Sequence, residues 1–456
     1  MKKALIILVI VSLPVVFVLG SRKHDDAEPI AVTPSAQRPG DAAKGYEYLT
    51  TGDFIKSGVP YSYFTYAAGQ DKNNYLNRTG KNATVAHGYN VIEKDGIEMV
   101  IPTCMQCHSQ VFEGKLVIGL GNNSLDFSNA KSVNYDAGLQ IMQRTQPKVY
   151  KASKPFFTSF KTTFPLMETE VRGVNTADRL AMILVAHRDP QTLKWSDTAL
   201  IPLPDEIIPT DVPAWWLMKK KNAMFYSGFA RGDFAKYLML SNLLTVTDTA
   251  EAKEVSNHFG DVLAYIRSLE PPKYPHTVDK QKAETGRLVF NENCSSCHGT
   301  YGDGGQYPNL LIPYSIIQTD SMLAKSLEIY APFLDWFRKS WFAQGENAPY
   351  LVPFFGYIAP PLDGVWVTAP YMHNGSVPTI EALLNSKTRP EYWSRDFDKP
   401  EYDYVSVGWK HTAHPEPVKK KTYNTKLQGY SNSGHTFGDH LNDQERSAVI
   451  EYLKTL

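Results

Sequence analysis

The sequence has no excess of charge of either sign, because 47 Lys and Arg residues balance 47 Asp and Glu residues. Nothing therefore indicates a nucleic-acid surface or a polybasic membrane patch. After residue 20 no apolar run is long enough to span a membrane. No cysteine lies near that residue, which excludes a lipoprotein anchor. The loops are rich in Asp and Asn but lack an organised spacing of calcium ligands.

The N-terminus has the pattern of an export signal. Met1, Lys2 and Lys3 precede a largely apolar run over residues 4–20, as in secretory signals. We predict that residues 1–20 form a signal peptide or an uncleaved N-terminal membrane anchor, and that the protein is periplasmic. Residues 21–44 are rich in Asp, Pro and Ala and are predicted to form a flexible leader.

Cysteine is scarce, and its positions carry the strongest signal in the chain. The four Cys residues lie in two copies of one pentapeptide, Cys104-Met105-Gln106-Cys107-His108 and Cys294-Ser295-Ser296-Cys297-His298. In Cys-x-x-Cys-His the thiols can add to the vinyl groups of a haem while the histidine ligates its iron. A redox pair or a zinc site would leave the repeated histidine unexplained. We therefore predict two covalently bound haem c groups, with His108 and His298 as lower ligands.

Similar sequences after the two haem motifs indicate that one unit is used twice. Residues 265–269 read Tyr-Ile-Arg-Ser-Leu, and residues 452–456 read Tyr-Leu-Lys-Thr-Leu. A Pro-rich stretch over residues 271–275 separates the halves. The sequence predicts a haem domain over residues 45–270, a linker over residues 271–279 and a second haem domain over residues 280–456.

Capping residues predict where two helices begin. Asn175 or Thr176 can cap a helix over Ala177–Ala186, and Asn442 with Glu445 three residues later forms a capping-box pattern before the last helix. His187 at the end of the first of these helices is expected to be structural, as is His87 in an upstream loop.

The region around the second haem motif resembles a known family. The spacing Ala-x-x-Gly-x-x-x-Phe-x-x-x-Cys over residues 283–294 resembles class I cytochrome c domains. Residues 362–379, which include His-Asn-Gly-Ser-Val-Pro-Thr, resemble the bacterial di-haem cytochrome c peroxidase superfamily, which also contains the methylamine-dehydrogenase maturation enzyme. Residues 431–438 look closest to its branch with the rubber oxygenases. The resemblance implies a mostly α fold of two tandem class I cytochrome c-like domains with long irregular insertions.

The resemblance also implies that the two haems have different roles. One haem, six-coordinate, takes or stores electrons, and the other meets peroxide or dioxygen at an open face. A tryptophan relays electrons between them, and we assign this relay to Trp215 or Trp216, with core packing as the alternative. For the upper ligand of the second haem, the glycine-flanked loop favours His435. Met372 and His373 are the rivals, although His373 is rather expected to orient a propionate or to brace the loop.

The predicted activity is that of a peroxidase-type oxidoreductase, in which electrons enter at the second haem and an oxidant is reduced at the first. Peroxide cleavage needs a distal acid or base, for which Glu168 and Glu170 are candidates; in the alternative interpretation they are solvated turn acids. A pocket built from Phe225 and Phe229 would instead favour an oxygenase that cleaves an apolar substrate with dioxygen. The third alternative is an electron carrier with both haems six-coordinate.

Expected partners follow from this activity. The electron donor would be a small redox protein or a quinol-linked donor, and the substrate would be peroxide or dioxygen. The resemblance to peroxidases leaves room for calcium between the domains, whereas no nucleic-acid partner is expected.

Overall fold

The computed structural model describes residues 28–129 and 136–456. The signal peptide or anchor predicted over residues 1–20, and residues 21–27 of the predicted leader, lie outside the described residues. Within the described ranges, no helix combines the length and the apolarity that crossing a membrane requires.

Helices supply the larger part of the regular structure. In the described chain the α-helices are α1 (Ala42–Thr51), α2 (Tyr61–Ala68), α3 (Asp136–Thr145), α4 (Pro147–Thr163), α5 (Ala177–Ala186), α6 (Phe234–Leu238), α7 (Thr249–Ser268), α8 (Lys280–Asn293), α9 (Ser295–His298), α10 (Tyr314–Ile317), α11 (Met322–Ile329), α12 (Ala331–Lys339), α13 (Ile380–Leu384) and α14 (Asp443–Leu453). Two short 3₁₀ turns matter for the sites below, Cys104–Gln106 and Trp215–Lys219.

Strands are short and form several small antiparallel sheets. They are β1 (Ile30–Ala31), β2 (Val59–Pro60), β3 (Tyr89–Lys94), β4 (Ile97–Pro102), β5 (Ser109–Phe112), β6 (Lys115–Ile118), β7 (Ala230–Arg231), β8 (Leu310–Pro313), β9 (Tyr350–Leu351), β10 (Gly356–Ile358), β11 (Tyr392–Ser394), β12 (Tyr402–Asp403), β13 (Gly408–Trp409), β14 (Thr412–His414) and β15 (Tyr423–Asn424). The strand orders are β1-β8-β10, β2-β4-β3, β14-β11-β15, β5-β6, β7-β9 and β12-β13.

The prediction of a mostly α fold is wrong. The protein is 39% helix and 14% strand and has a mixed α/β fold with several small sheets. It is also not clearly a tandem of cytochrome c domains, because the two halves share sheets: β1 pairs with β8, and β7 pairs with β9. Most strands are too short for an alternating pattern to be recognised in the sequence.

In the sequence, each haem motif lies between two helices that pack closely against each other in the fold. The first pair is α1 with α7, and the second is α8 with α14. Glycine permits both crossings: a Cβ atom on Gly45 would lie 2.0 Å from the Asp261 carbonyl oxygen, and one on Gly286 would lie 1.9 Å from the Ala448 carbonyl oxygen. Any side chain at these positions would force the helices apart.

The same two pairs are tied at the N-termini of α1 and α8. The cap residue Asp41 donates its backbone N–H to Asp261 Oδ1 on α7 at 2.7 Å. The cap residue Asp279 donates its backbone N–H to Glu451 Oε1 on α14 at 2.8 Å. The similar sequences of residues 265–269 and 452–456 lie at the C-terminal ends of α7 and α14, the second helix of each pair.

Two helix starts agree with the predicted caps. Helix α5 spans Ala177–Ala186 as predicted, and Asn175 Oδ1 accepts the Ala177 N–H at 2.6 Å. The capping box of Asn442 and Glu445 at the start of α14 is also confirmed. Both signals are local, so they could be recognised without knowledge of the tertiary structure.

Residues 28–41, which belong to the predicted leader, contact both halves of the molecule. Strand β1 pairs with Leu310 and Leu311. Further along, Gln37 Nε2 donates to the Gly232 carbonyl at 2.8 Å, and Arg38 Nε lies 2.8 Å from Asp233 Oδ2. The domain limits at residues 45, 270 and 280 stay predictions.

Two main apolar cores fill the interior. The first core contains Met105, Trp215 and Phe259 and surrounds the first haem motif. The second core contains Trp216 and Phe290 and surrounds the second motif. Consecutive tryptophans therefore belong to different cores.

Candidate haem sites

The second haem motif follows directly on α8, and His298 ends the short helix α9. Its Nδ1 lies 2.8 Å from the Pro360 carbonyl oxygen. Because a carbonyl only accepts hydrogen bonds, Nδ1 carries the proton and Nε2 is left as a metal-binding nitrogen. Burial lowers the pKa of His298, which favours the neutral ring that ligation requires.

His435 lies across from His298. The two ring centroids are 6.2 Å apart, with the planes inclined by 56°. An imidazole nitrogen bonds a metal at about 2.0 Å, so rings on opposite sides of one ion have centroids about 6 Å apart. Burial lowers the pKa of His435 to about 3, and its Nδ1 has no hydrogen-bond partner within the described ranges. The pair fits the two axial positions of one haem iron.

The rival ligands have other contacts. Ser376 Oγ donates to Met372 Sδ at 3.6 Å, at the edge of the second core. His373 is buried, stacks on Tyr357 at 4.3 Å, and has Nε2 3.2 Å from the Tyr357 hydroxyl. The geometry therefore favours His435 over Met372, and the contacts of His373 with Tyr357 are compatible with a bracing role.

The first haem motif leads from β4 into the β5–β6 hairpin. Thr103 Oγ1 accepts the Met105 N–H at 3.3 Å and caps the turn that carries Cys104. The His108 ring stacks on Trp215, with centroids 4.6 Å apart and planes inclined by 18°. Burial lowers the pKa of His108 to about 3, so this ring is also neutral. Trp215 thus fixes the orientation of the predicted lower ligand.

The cysteines suit thioether formation better than a shared zinc site. Cys104 packs on the first core and Cys294 on the second. Burial raises the pKa of both thiols to about 11, which disfavours the thiolate that zinc requires. In the part of the chain that is described, no group of three or more His, Cys, Asp or Glu side chains could hold a metal ion. Each pair must therefore act separately.

The tryptophan pair lies between the two motifs in space as well as in sequence. Trp215 contacts His108, and Trp216, which is fully buried, donates its indole N–H to the Asp363 carbonyl at 2.8 Å. The carbonyl oxygen of Pro360, three residues before Asp363, accepts the hydrogen bond from His298 Nδ1. A continuous series of ring contacts, peptide bonds and hydrogen bonds therefore joins the two lower ligands.

The glutamates named from the sequence are on the surface. Glu168 is exposed and pairs with Lys420 Nζ at 2.8 Å. Glu170 is exposed, and its backbone N–H donates to the Tyr430 hydroxyl at 3.1 Å. Exposed carboxylates are solvated, so this position does not suit a distal acid or base in a closed pocket.

Two partly buried acids with raised pKa values escaped the sequence analysis. Asn175 Nδ2 lies 3.5 Å from Cys107 Sγ, and Asp178 lies three residues later, in the first turn of α5. Burial raises the pKa of Asp178 to about 6. Asp211 accepts a hydrogen bond from Tyr226 at 3.3 Å, and burial raises its pKa to about 7. In the sequence these acids stand beside residues with other predicted roles: Asp178 follows the candidate helix caps Asn175 and Thr176, and Asp211 precedes the tryptophan pair.

The two phenylalanines that the sequence analysis assigned to a dioxygen pocket are in contact with each other. Phe225 and Phe229 stack with ring centroids 4.9 Å apart, and both pack on the first core with Cys104. Phe225 has a φ of 65°, a conformation that is costly for a bulky residue. The surroundings of the first motif are therefore largely apolar.

The two other histidines named from the sequence have local contacts. His187 is buried, has Nδ1 2.9 Å from the Ser196 carbonyl oxygen and stacks on Trp195 at 5.0 Å. His87 lies edge-on to Tyr75 at 6.2 Å.

A family model described as RoxA-like, cytochrome c-like, matches residues 356–394. This segment runs from β10 to β11 and includes the His-Asn-Gly-Ser motif. The match links the chain to the RoxA-like cytochromes. It suggests a c-type cytochrome with covalently bound haem c. It does not confirm the wider peroxidase superfamily, the presence of two haems, or calcium.

Two proteins of Sinorhizobium fredii (strain NBRC 101917 / NGR234) are similar to this chain. It is 27% identical to uncharacterized protein y4iM over 293 residues, which are 54% of this chain and 64% of that protein. It is 39% identical to uncharacterized protein y4iJ over 113 residues, which are 22% of this chain and 18% of that protein. The chain thus spans less than two thirds of either relative.

Proposed function

We propose that the protein is an exported di-haem c-type cytochrome that couples electron transfer to dioxygen chemistry on an apolar substrate. The observation that carries this proposal is the apolar surroundings of the first motif, where Phe225 and Phe229 pack on the same core as Cys104. The similarity to RoxA-like cytochromes supports the same choice. A peroxidase built on Glu168 and Glu170 is less well supported, because both side chains are exposed.

Haem, when bound, supplies an iron that exchanges electrons and reacts with dioxygen. At the first site Cys104 and Cys107 would hold the porphyrin, and His108 would ligate from below with its ring fixed by Trp215. The apolar side chains exclude water and admit an apolar substrate. Cleavage of a carbon–carbon double bond by dioxygen places one oxygen atom on each carbon and needs no net electrons, so the donor would serve only to reduce the protein before turnover.

In this proposal the second haem stores electrons. His298 and His435 would both hold its iron, and this haem would then exchange electrons without meeting an oxidant. Bis-histidine ligation would also lower the reduction potential relative to a His/Met pair. Electrons would pass to the first haem by way of Trp216 and Trp215.

Location and partners belong to the same proposal. The pattern of residues 1–20 supports export to the periplasm, with the same segment as an anchor if it is retained. The donor would be a small redox protein or a quinol-linked donor. Calcium is not part of the proposal, since the described residues offer no organised cluster of acidic ligands.

The direct test is dioxygen consumption by the holoprotein with an apolar unsaturated substrate and no added peroxide. We expect both carbonyl products to carry label from ¹⁸O₂. Replacing Phe229 by Ala should lower kcat/KM by about tenfold, since it removes an apolar side chain from the region where the substrate would bind. Tyr66→Ala, which alters an exposed aromatic residue, is the control and should change nothing. Turnover of peroxide without dioxygen uptake would contradict the proposed oxygenase activity. If neither activity is detected, the remaining candidate is an electron carrier.

A peroxidase is the second candidate, and the partly buried carboxyl group of Asp178, whose pKa is raised to about 6, favours it. Acting as the base that accepts a peroxide proton, Asp178 must be ionised, so the rate of peroxide reduction should rise as the pH increases through about 6. Asp178→Asn should lower that rate by about 10²- to 10⁴-fold and abolish this pH dependence. Glu168→Gln, at an exposed carboxylate, is the matched control. Equal peroxide rates in wild type and Asp178→Asn would exclude this candidate.

A further inference from the structure

Arg389 is bound to the loop that carries His435. Its guanidinium group donates five hydrogen bonds of 2.6–3.1 Å, to the main-chain carbonyls of Ala382, Leu383, Asn432, Gly434 and His435. Three of these carbonyls belong to the His435 loop, and the other two belong to α13. Arg389 therefore fastens the loop to a helix of the second core.

The same loop is held from a second direction by Asn374, which belongs to the His-Asn-Gly-Ser motif and is fully buried. Its side-chain amide donates to the carbonyls of Gly429 and Ser431, both at 3.0 Å. Asp320 Oδ2 accepts the Ser431 N–H at 3.2 Å. Asn374 and Asp320 fix the start of the loop, whereas Arg389 fixes the part that contains the ligand.

The loop needs these contacts because its backbone is strained. His435 has a φ of 45°, in the left-handed region that few residues other than glycine adopt. Gly434 before it has a φ of 71°, and a Cβ atom there would lie 2.2 Å from the Gln318 carbonyl carbon. A strained conformation of this kind persists only where the surroundings fix it.

We propose that Arg389 is the positioning residue that keeps His435 in the sixth coordination position of the second haem. The inference rests on the proposed ligation by His298 and His435. Arginine suits this role because its planar group donates in several fixed directions at once. Lysine keeps the charge but has a single donor atom and cannot reproduce five bonds.

Arg389→Lys in the full-length holoprotein tests the proposal. We expect the low-spin EPR signal of the second haem to be largely replaced by a high-spin signal, and its reduction potential to rise. Free imidazole should restore the low-spin signal. Arg446→Lys is the matched control, since Arg446 donates to the carbonyls of Gly438 and Leu441 beyond the ligand and should leave the spectrum unchanged.

His435→Gly separates failure of this inference from failure of the proposed ligation. If His435→Gly leaves the second haem unchanged, the ligation itself is wrong. If His435→Gly changes the signal and Arg389→Lys does not, only the role of Arg389 is wrong. Should Arg389→Lys fold poorly, Arg389→Ala with added guanidinium gives the same decision: recovery of the low-spin signal supports positioning, and no recovery in a folded protein overturns it.

Discussion

A variant in which Cys294 and Cys297 are both alanine is expected to carry half the covalently bound haem of the wild type. Each Cys-x-x-Cys-His motif would supply the thiols for one porphyrin, and the two pairs pack in different cores, so neither could substitute for the other. A haem held only by His298 would be released when the chain is denatured. A pyridine haemochrome assay per chain, with the mass of the denatured protein, measures the loss.

The complementary variant, with Cys104 and Cys107 replaced by alanine, is the control. It should lose the same amount of haem but retain the low-spin signal that we assign to the second haem. Loss of no haem in either variant, with free thiols in the wild type, would contradict covalent attachment. Loss of all haem in both variants would show that the two sites assemble only together.

Replacing Trp216 by Phe is expected to slow electron transfer between the haems by about tenfold or more, equivalent to at least about 1.4 kcal/mol in the activation barrier. Phenylalanine is much harder to oxidise than tryptophan, and it cannot donate the hydrogen bond to the Asp363 carbonyl. Rapid reduction of the second haem, followed by spectroscopy of the first, measures the rate.

Trp336→Phe is the matched control for this variant. Trp336 is also buried and donates its indole N–H to a main-chain carbonyl, that of Arg188, at 2.6 Å. Both variants lose the same atoms from an apolar core, so their stability should fall by similar amounts. If both slow the transfer equally, the effect is one of packing, and Trp216 is not on the electron route.

Features encoded locally could be predicted from the sequence. The helix over Ala177–Ala186 and the capping box at Asn442 depend on residues within one turn. Two hairpins were missed although each has a turn signal: Asp95 and Gly96 between β3 and β4, and Glu113 and Gly114 between β5 and β6, all with positive φ. Pairs such as β1 with β8 join residues some 280 positions apart, and no local pattern specifies them.

The candidate haem sites could also be predicted only where local sequence determines them. The lower ligands follow from a five-residue motif, and the glycine beside His435 pointed to a loop that could approach a porphyrin. The glutamates were chosen for their place in the sequence, which does not determine whether a side chain faces solvent. Asp178 could not be chosen as the acid or base from the sequence, because its raised pKa is caused by burial in the folded protein.

The adjacent tryptophans also limit how the protein can move. Trp215 and Trp216 share one peptide bond, yet each ring is buried in a different core. A hinge motion between the halves would have to expose a large aromatic surface to water, which is unfavourable. The halves are therefore expected to behave as one rigid body. The rate of electron transfer between the haems would then depend on the ligands and the redox state of the irons. It would not depend on opening and closing of the molecule.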